Sequence, residues 1–232
     1  MLLEKGIKKK VTERKVVKEN HTYIEGLLAA SVAHEIKNSI SSLKGLTQLL
    51  QAEKKDKGEY FKVMMEEIDK INKISSQLLN ASKSDTDSKR FESITEMLHE
   101  VVLMQQVQGN TYNVDFDLMF DEDRGILCKR AQLKQVFINL IKNAVEEMPD
   151  GGKIIVHTKV NKTHVTVSII DNGPGIPDHI SRKLKDPFIT TKNNGTGLGL
   201  MISNDIIDDH NGKLDFFNNK DRGTTFQINL PL

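Results

Sequence analysis

Apolar residues follow two rhythms along this chain, and the rhythm changes once. In the first third they recur at helical steps. Ile36, Ile40, Leu43, Thr47 and Leu50 alternate steps of four and three, which predicts a helix from Ile24 to about Ala52 with one packed seam. A turn is expected at Lys54 to Gly58. Phe61, Met64, Met65, Ile68, Ile71, Ser75 and Leu78 then repeat the pattern on a second helix. Two such helices, each of about 25 residues, form an antiparallel hairpin that covers its own apolar face poorly, whereas two copies complete a four-helix bundle. Homodimerisation through residues 24–82 is therefore expected. Residues 1–23 are strongly charged, with Gly6 and no proline, and predict a helical extension that frays at its start.

The polar run SKSDTDS, residues 82–88, is rich in turn formers and marks a linker, placed at residues 83–90. Beyond it, residues 91–232 mix both periods. Helices are expected over Ile94 to Gln108, Arg130 to Met148 and Leu198 to Asp209. Strands are expected over Asn113 to Leu118, Ile126 to Cys128, Ile154 to Val160, Thr163 to Ile170, Lys213 to Asn218 and Thr224 to Leu230. Pro149-Asp150-Gly151-Gly152 stops one helix and Asn211-Gly212 another. Strands grouped with helices, without strict alternation, predict an α+β chain: a helical hairpin, then an α/β sandwich with helices on one face of a mixed sheet.

Composition adds exclusions. Lys and Arg number 33 against 32 Asp and Glu, so no global field points to nucleic acid or an anionic membrane. The lone Cys128 rules out an internal disulfide and fits a reducing compartment. No apolar run reaches the length of a membrane span and no signal peptide is evident, so a cytoplasmic location without membrane contact is expected, whether the chain is whole or the output end of a longer one. His21, His99, His157, His164, His179 and His210 lack ligand spacing, so no protein-held metal cage is expected.

The densest chemistry lies in DNGPGIPDHISRKLKDPFITTKNNGTGLGL, from Asp171 to Leu200. Asp171 ends an apolar strand, and Gly173, Pro174 and Gly175 force the chain out of the sheet. Gly195, Thr196, Gly197, Leu198 and Gly199 lead into a helix. Glycines at that spacing let backbone N–H groups approach a ligand, and a helix N-terminus favours negative charge. A carboxylate at one end and a phosphate cradle at the other suit a purine nucleotide. Neither the dinucleotide fingerprint nor the P-loop pattern is present, so another architecture is needed. In the helix KRAQLKQVFINLIKNAVEEM, Asn139 and Asn143 stack on one side, with Glu146 three residues on. Carboxamides so placed offer oxygens to a hard cation and N–H donors to phosphate, which points to a Mg²⁺–triphosphate role. His34 lies roughly 200° around the wheel from Ile36, at about 100° per residue, and so points away from the seam. Glu35 adjoins it and Asn38 shares its face. On that window alone it is an ordinary exposed polar group.

Taken together these segments resemble the sensor histidine kinases of two-component systems. SVAHEIKN (31–38) resembles the phosphoacceptor box, NLIKNA (139–144) the N box, DNGPGI (171–176) the G1 box, DPF (186–188) the F box, GTGLGL (195–200) the G2 box and RGTTF (222–226) the final strand motif. The order holds over nearly the whole chain, and the branch it resembles is the sporulation kinases. The resemblance implies ATP and Mg²⁺ as cofactors and His34 as the nucleophile, with Glu35 orienting the imidazole. It implies that Asn139 and Asn143 hold Mg²⁺ and phosphate oxygens, and that Asp171 takes the adenine amino group, with Gly173 and Gly175 permitting close approach. A lid over residues 177–194 would carry Lys192 to phosphate. The GTGLGL glycines would supply amides, and Thr224 and Thr225 would sit near the adenine. A response-regulator receiver domain is the implied partner, with Glu35 and Asn38 supporting its dephosphorylation. Ser39 departs from the family, which commonly has proline there, and implies a straighter helix. The rivals are an ATP hydrolase of the gyrase, mismatch-repair and chaperone superfamily, a serine kinase of that superfamily, and a degenerate binding module. Asn139 stands where the hydrolases carry their catalytic Glu.

Overall fold

The computed structural model describes residues 32–33, 36–50, 57–82, 88–181, 183–184, 186, 189–190, 192 and 196–232. The chain divides into two compact units, Met1–Leu78 and Leu79–Leu232. No helix among the described residues is long and apolar enough to cross a membrane.

The first unit contains helix α1, residues 36–50, and most of helix α2, Gly58–Ser82. Val32, Ser39 and Ile74 are buried, while Ile40, Phe61, Met65 and Ile68 remain 40–58% exposed. The expected seam is thus only partly used within one chain. Ser39, rather than the adjacent Ile40, takes the buried position, a rotation of about 100° around the wheel. A helix with one neighbour buries only the strip that faces it, so flanking apolar positions stay open. The Ser39 hydroxyl has no hydrogen-bond partner among the described residues. Thr47, expected in the seam, is exposed and returns its hydroxyl to the Leu43 carbonyl at 2.7 Å.

The second unit runs β1 (Arg90–Glu92), α3 (Ile94–Thr111), β2 (Val114–Met119), β3 (Ile126–Cys128), α4 (Arg130–Glu146), β4 (Gly152–Val160), β5 (His164–Asp171), α5 (Asp178–Ser181), α6 (Gly199–Asp209), β6 (Lys213–Asn218) and β7 (Thr224–Pro231). β1 and α5 are additions to the elements expected from sequence, and Arg90, expected in the linker, already pairs with Cys128. The five-stranded sheet has the order β2-β4-β5-β7-β6, with β2 and β4 parallel and every other pair antiparallel. A separate antiparallel pair joins β1 to β3.

Register explains the single helical layer. Ile154, Val156, Val165, Val167, Ile169, Phe226, Ile228 and Leu230 alternate onto one face of the sheet. They share one core with Val101, Leu133, Val136, Phe137, Leu140, Ile141 and Ile207 of α3, α4 and α6. Arg130 bonds both Glu92 of β1 (2.8 Å) and Glu100 of α3 (2.6 Å), fastening the small pair of strands to the helices. After α4 the chain reverses through Gly151, whose φ of 96° is open to glycine and packs it under the Asn113 carbonyl.

Candidate nucleotide-binding site

Asp171 closes β5 on the face that looks into the helical layer, in step with Val165, Val167 and Ile169. Its side chain is only 7% exposed. The backbone N–H groups of Gly173 (2.9 Å) and Thr224 (3.0 Å) both donate to Oδ1. No hydrogen bond reaches Oδ2 from another described residue, which leaves one oxygen of a fixed carboxylate as an acceptor. Burial raises this carboxyl above the ordinary aspartate range. The two amides oppose that shift, and the charge of Glu147 adds to it.

The loop after Asp171 is held from the β6–β7 side. Asn218 accepts from the Ile176 N–H and donates to the Ile176 carbonyl, both at 2.8 Å. Asn219 donates to the Asp171 carbonyl (3.0 Å) and Arg222 Nε to the Gly173 carbonyl (3.1 Å). Gly223, with φ of 93°, lies so near that a β-carbon there would overlap the Asp171 carbonyl oxygen. These ties hold Gly173 against the Asp171 carboxylate and Gly175 against Asn218.

Asn139 and Asn143 project from α4, one turn apart. Asn139 Nδ2 donates to Ser203 Oγ (2.9 Å), which in turn donates to the Gly199 carbonyl (2.9 Å). A β-carbon on Gly199 would overlap Asn139 Oδ1, so the glycine lets the first turn of α6 lie directly against the Asn139 side chain. Among the described residues no side chain caps α6, and amides at such a helix start favour negative charge. Gly197 has φ of 65° and Leu198 is buried. The Thr196 hydroxyl accepts from the Leu198 N–H at 3.4 Å. The second carboxamide is occupied differently: Asn143 Oδ1 accepts from Lys192 Nζ at 3.2 Å, and the same ammonium lies 2.6 Å from Glu146 Oε2. A neutral carboxamide oxygen holding a cation fits the oxygen chemistry of a hard metal ion.

Three expected site residues, His34, Glu35 and Gly195, lie outside the described residues. Asn38 is exposed on α1 in the first unit. Thr225 is not placed with Asp171. It pairs with Ile170 and Phe217 on the opposite face of the sheet, and its hydroxyl donates to Asn219 Oδ1 at 2.7 Å. Thr224 is joined to Asp171 through its backbone N–H. Ser203, Asn218 and Asn219 meet these residues without any sequence expectation, and Arg222, which opens the RGTTF segment, joins them.

His210, close to the other end of α6, is structural. Buried to 3% exposure, it accepts from the Lys129 N–H at Nε2 (3.0 Å) and lies 2.7 Å from the Ile206 carbonyl at Nδ1. That pair of partners requires the neutral ring with its proton on Nδ1, and burial depresses its pKa. Cys128 is buried too, with its thiol pushed up to about 11 mainly by desolvation, and so is unreactive at neutral pH.

Two family models match the chain. One is the His Kinase A (phospho-acceptor) domain, over residues 24–87. The other is the histidine kinase-, DNA gyrase B-, and HSP90-like ATPase, over residues 128–232. Sporulation kinase E of Bacillus subtilis (strain 168) is 39% identical over 235 aligned residues, covering 98% of this chain and 32% of the relative. This chain thus spans about a third of that kinase's length. The catalytic domain of histidine kinase ThkA superposes with a TM-score of 0.58 at 35% identity, covering 62% of this chain and 96% of that one. ThkA in complex with the response regulator protein TrrA gives a TM-score of 0.72 at 29% identity, covering 92% of this chain and 63% of that one.

Proposed function

We propose, from the premise that this chain belongs to the sensor histidine kinases of two-component systems, that it phosphorylates its own His34 from ATP and passes the phosphoryl group to an aspartate of a response-regulator receiver domain. An imidazole nitrogen of His34 attacks the γ-phosphorus, and the bond from that phosphorus to the bridging oxygen breaks as ADP leaves. Glu35 takes or orients the proton on the other ring nitrogen, keeping the attacking one bare. Glu35 with Asn38 supports removal of phosphate from the regulator.

The observation that carries the reading is the fixed Asp171 carboxylate. Two amides hold Oδ1, and Oδ2 is left to accept from an exocyclic amine such as that of adenine. Asn139 and Asn143 are the residues that would hold Mg²⁺. When bound with ATP, the ion neutralises charge on the phosphate oxygens. The amides opening α6, set close by Gly197 and Gly199, face the phosphates, and Lys192 supplies a further positive charge. Asn139 is bound to Ser203 and carries no carboxylate, so it cannot activate water as a hydrolase requires.

We assign residues 1–23 to a helical extension, 24–82 to dimerisation and histidine phosphotransfer, 83–90 to the linker and 91–232 to ATP binding. Exposed Ile40, Phe61, Met65 and Ile68 are the positions a second copy covers in a four-helix bundle. The segment works in the cytoplasm, without contact to membrane or nucleic acid. Parallel incubations with γ- and α-labelled ATP test the reading. Label should stay on the chain from the γ position only, stable in base and lost in acid. Acid-stable label would favour a serine kinase instead.

A further inference from the structure

An ion pair between Lys192 and Glu146 crosses from the segment after α5 to α4, and the proposed reaction leaves its acidic partner without a role. Its Nζ lies 2.6 Å from Glu146 Oε2, 3.2 Å from Asn143 Oδ1 and 3.9 Å from Glu147 Oε1. Lys142 approaches the other oxygen of Glu146 at 3.8 Å. The Lys192 and Glu146 side chains are 25% and 30% exposed, so the pair is only partly screened by water. Glu146 is also the last residue of α4, where the helix dipole favours a cation. The ammonium therefore rests on the very oxygen, Asn143 Oδ1, that a Mg²⁺–nucleotide would engage. Two cations cannot share that oxygen without strong repulsion.

We propose that Glu146 is a positioning residue for nucleotide entry: it holds Lys192 on Asn143 before nucleotide binds and releases it to the triphosphate as Asn143 turns to the incoming ion. The inference rests on the nucleotide role proposed above for Asn143. Glu146 acts through Lys192, touching neither nucleotide nor metal. The ion pair must be broken on binding, so it sets an affinity cost that a triphosphate, with several negative oxygens, outbids where a neutral ligand would not.

Calorimetric titration with Mg²⁺ and a non-hydrolysable ATP analogue tests this on four proteins: wild type, Glu146→Gln, Lys192→Met and the double variant. Thermal melts first establish that each is folded. Glu146→Gln should tighten binding roughly three- to fivefold, the scale of a partly exposed ion pair. In the Lys192→Met background the same change should leave affinity within about twofold, because no ammonium remains to be held. Glu146→Asp should bind like wild type. Equal tightening in both backgrounds would overturn the proposal in favour of direct repulsion between Glu146 and phosphate. Weakening in both would make Glu146 a ligand of the ion and overturn it equally. A wild-type protein that binds no nucleotide would sink the nucleotide reading itself, and this inference with it. Binding with no coupling between the two positions would sink the inference alone.

Discussion

The Thr224 N–H donates to Asp171 Oδ1 at 3.0 Å across the β5–β7 seam, joining residues 53 positions apart. The bond turns a strand-end aspartate into a fixed acceptor. Its geometry depends on β7 starting directly against β5, which Gly223 permits.

Asp171→Asn should separate stability from binding. Burial raises the Asp171 carboxyl pKa in the folded protein. A raised folded value means that the stability contribution is fully present below the unfolded carboxyl's pKa and is lost as pH rises through the folded value. At neutral pH the ionised group is therefore a burden to the fold. The amide can still accept both backbone N–H groups through Oδ1, but it turns a donor toward the adenine amine. The melting temperature should be unchanged or higher, while nucleotide affinity falls about ten- to hundredfold by calorimetry. Unchanged affinity would remove Asp171 from the site.

Gly199 and Gly223 should fail in different ways. A methyl at 199 collides with Asn139 Oδ1, a side-chain atom, yet Ala improves the helix by up to about 1 kcal/mol. Gly199→Ala should fold near wild-type stability and bind nucleotide about tenfold more weakly. A methyl at 223 meets the backbone of Asp171 at a positive φ, where no rotamer relieves it. Gly223→Ala should lose roughly 3 kcal/mol or more in chemical denaturation. Equal behaviour of the two variants would contradict this reading.

His210 should make the second unit acid-sensitive. Its pKa is depressed in the folded state, chiefly by desolvation. Its contribution is therefore present above the ordinary histidine value and is lost as pH falls through the lower, folded one. A protonated ring could not accept the Lys129 N–H. Denaturation midpoints should drop on acidification below about pH 6.5, the unfolded reference. His210→Ala should flatten that part of the profile while costing about 2–4 kcal/mol at neutral pH. A profile of unchanged shape in the variant would assign the acid loss to other groups.

The first unit should depend on a second copy. Ile68 is 40% exposed in a single chain. Ile68→Glu would bury a charge if two copies pair through this face, so light scattering should show wild type as a dimer and the variant as a monomer. A variant that stays dimeric would move the interface elsewhere.

Much of this was legible in the sequence because the signals were long or chemically narrow. The helical steps, the two-residue alternation of β4, β5 and β7, and a strand ending in Asp171-Asn172-Gly173 need only local reading. Thr224 against Thr225 was not so readable: both are β-branched, and a one-residue shift in register exchanges the faces of a strand. β1 and α5, of three and four residues, are too short to display a period. The Asn218–Ile176 and Lys192–Glu146 contacts join residues more than 40 positions apart, which only the folded sheet and helix layer bring together. The burial of Ser39 in place of Ile40 has no local signal, because it depends on which strip of α1 meets its neighbour.

Phosphoryl transfer to His34 is measured most directly as label retained from γ-labelled ATP with Mg²⁺ on wild type, His34→Gln and Asn143→Ala. Base-stable, acid-labile phosphate on His34 of the wild type, absent from both variants, is the predicted result. Label persisting in His34→Gln, or released only as free phosphate by the wild type, would contradict the assignment.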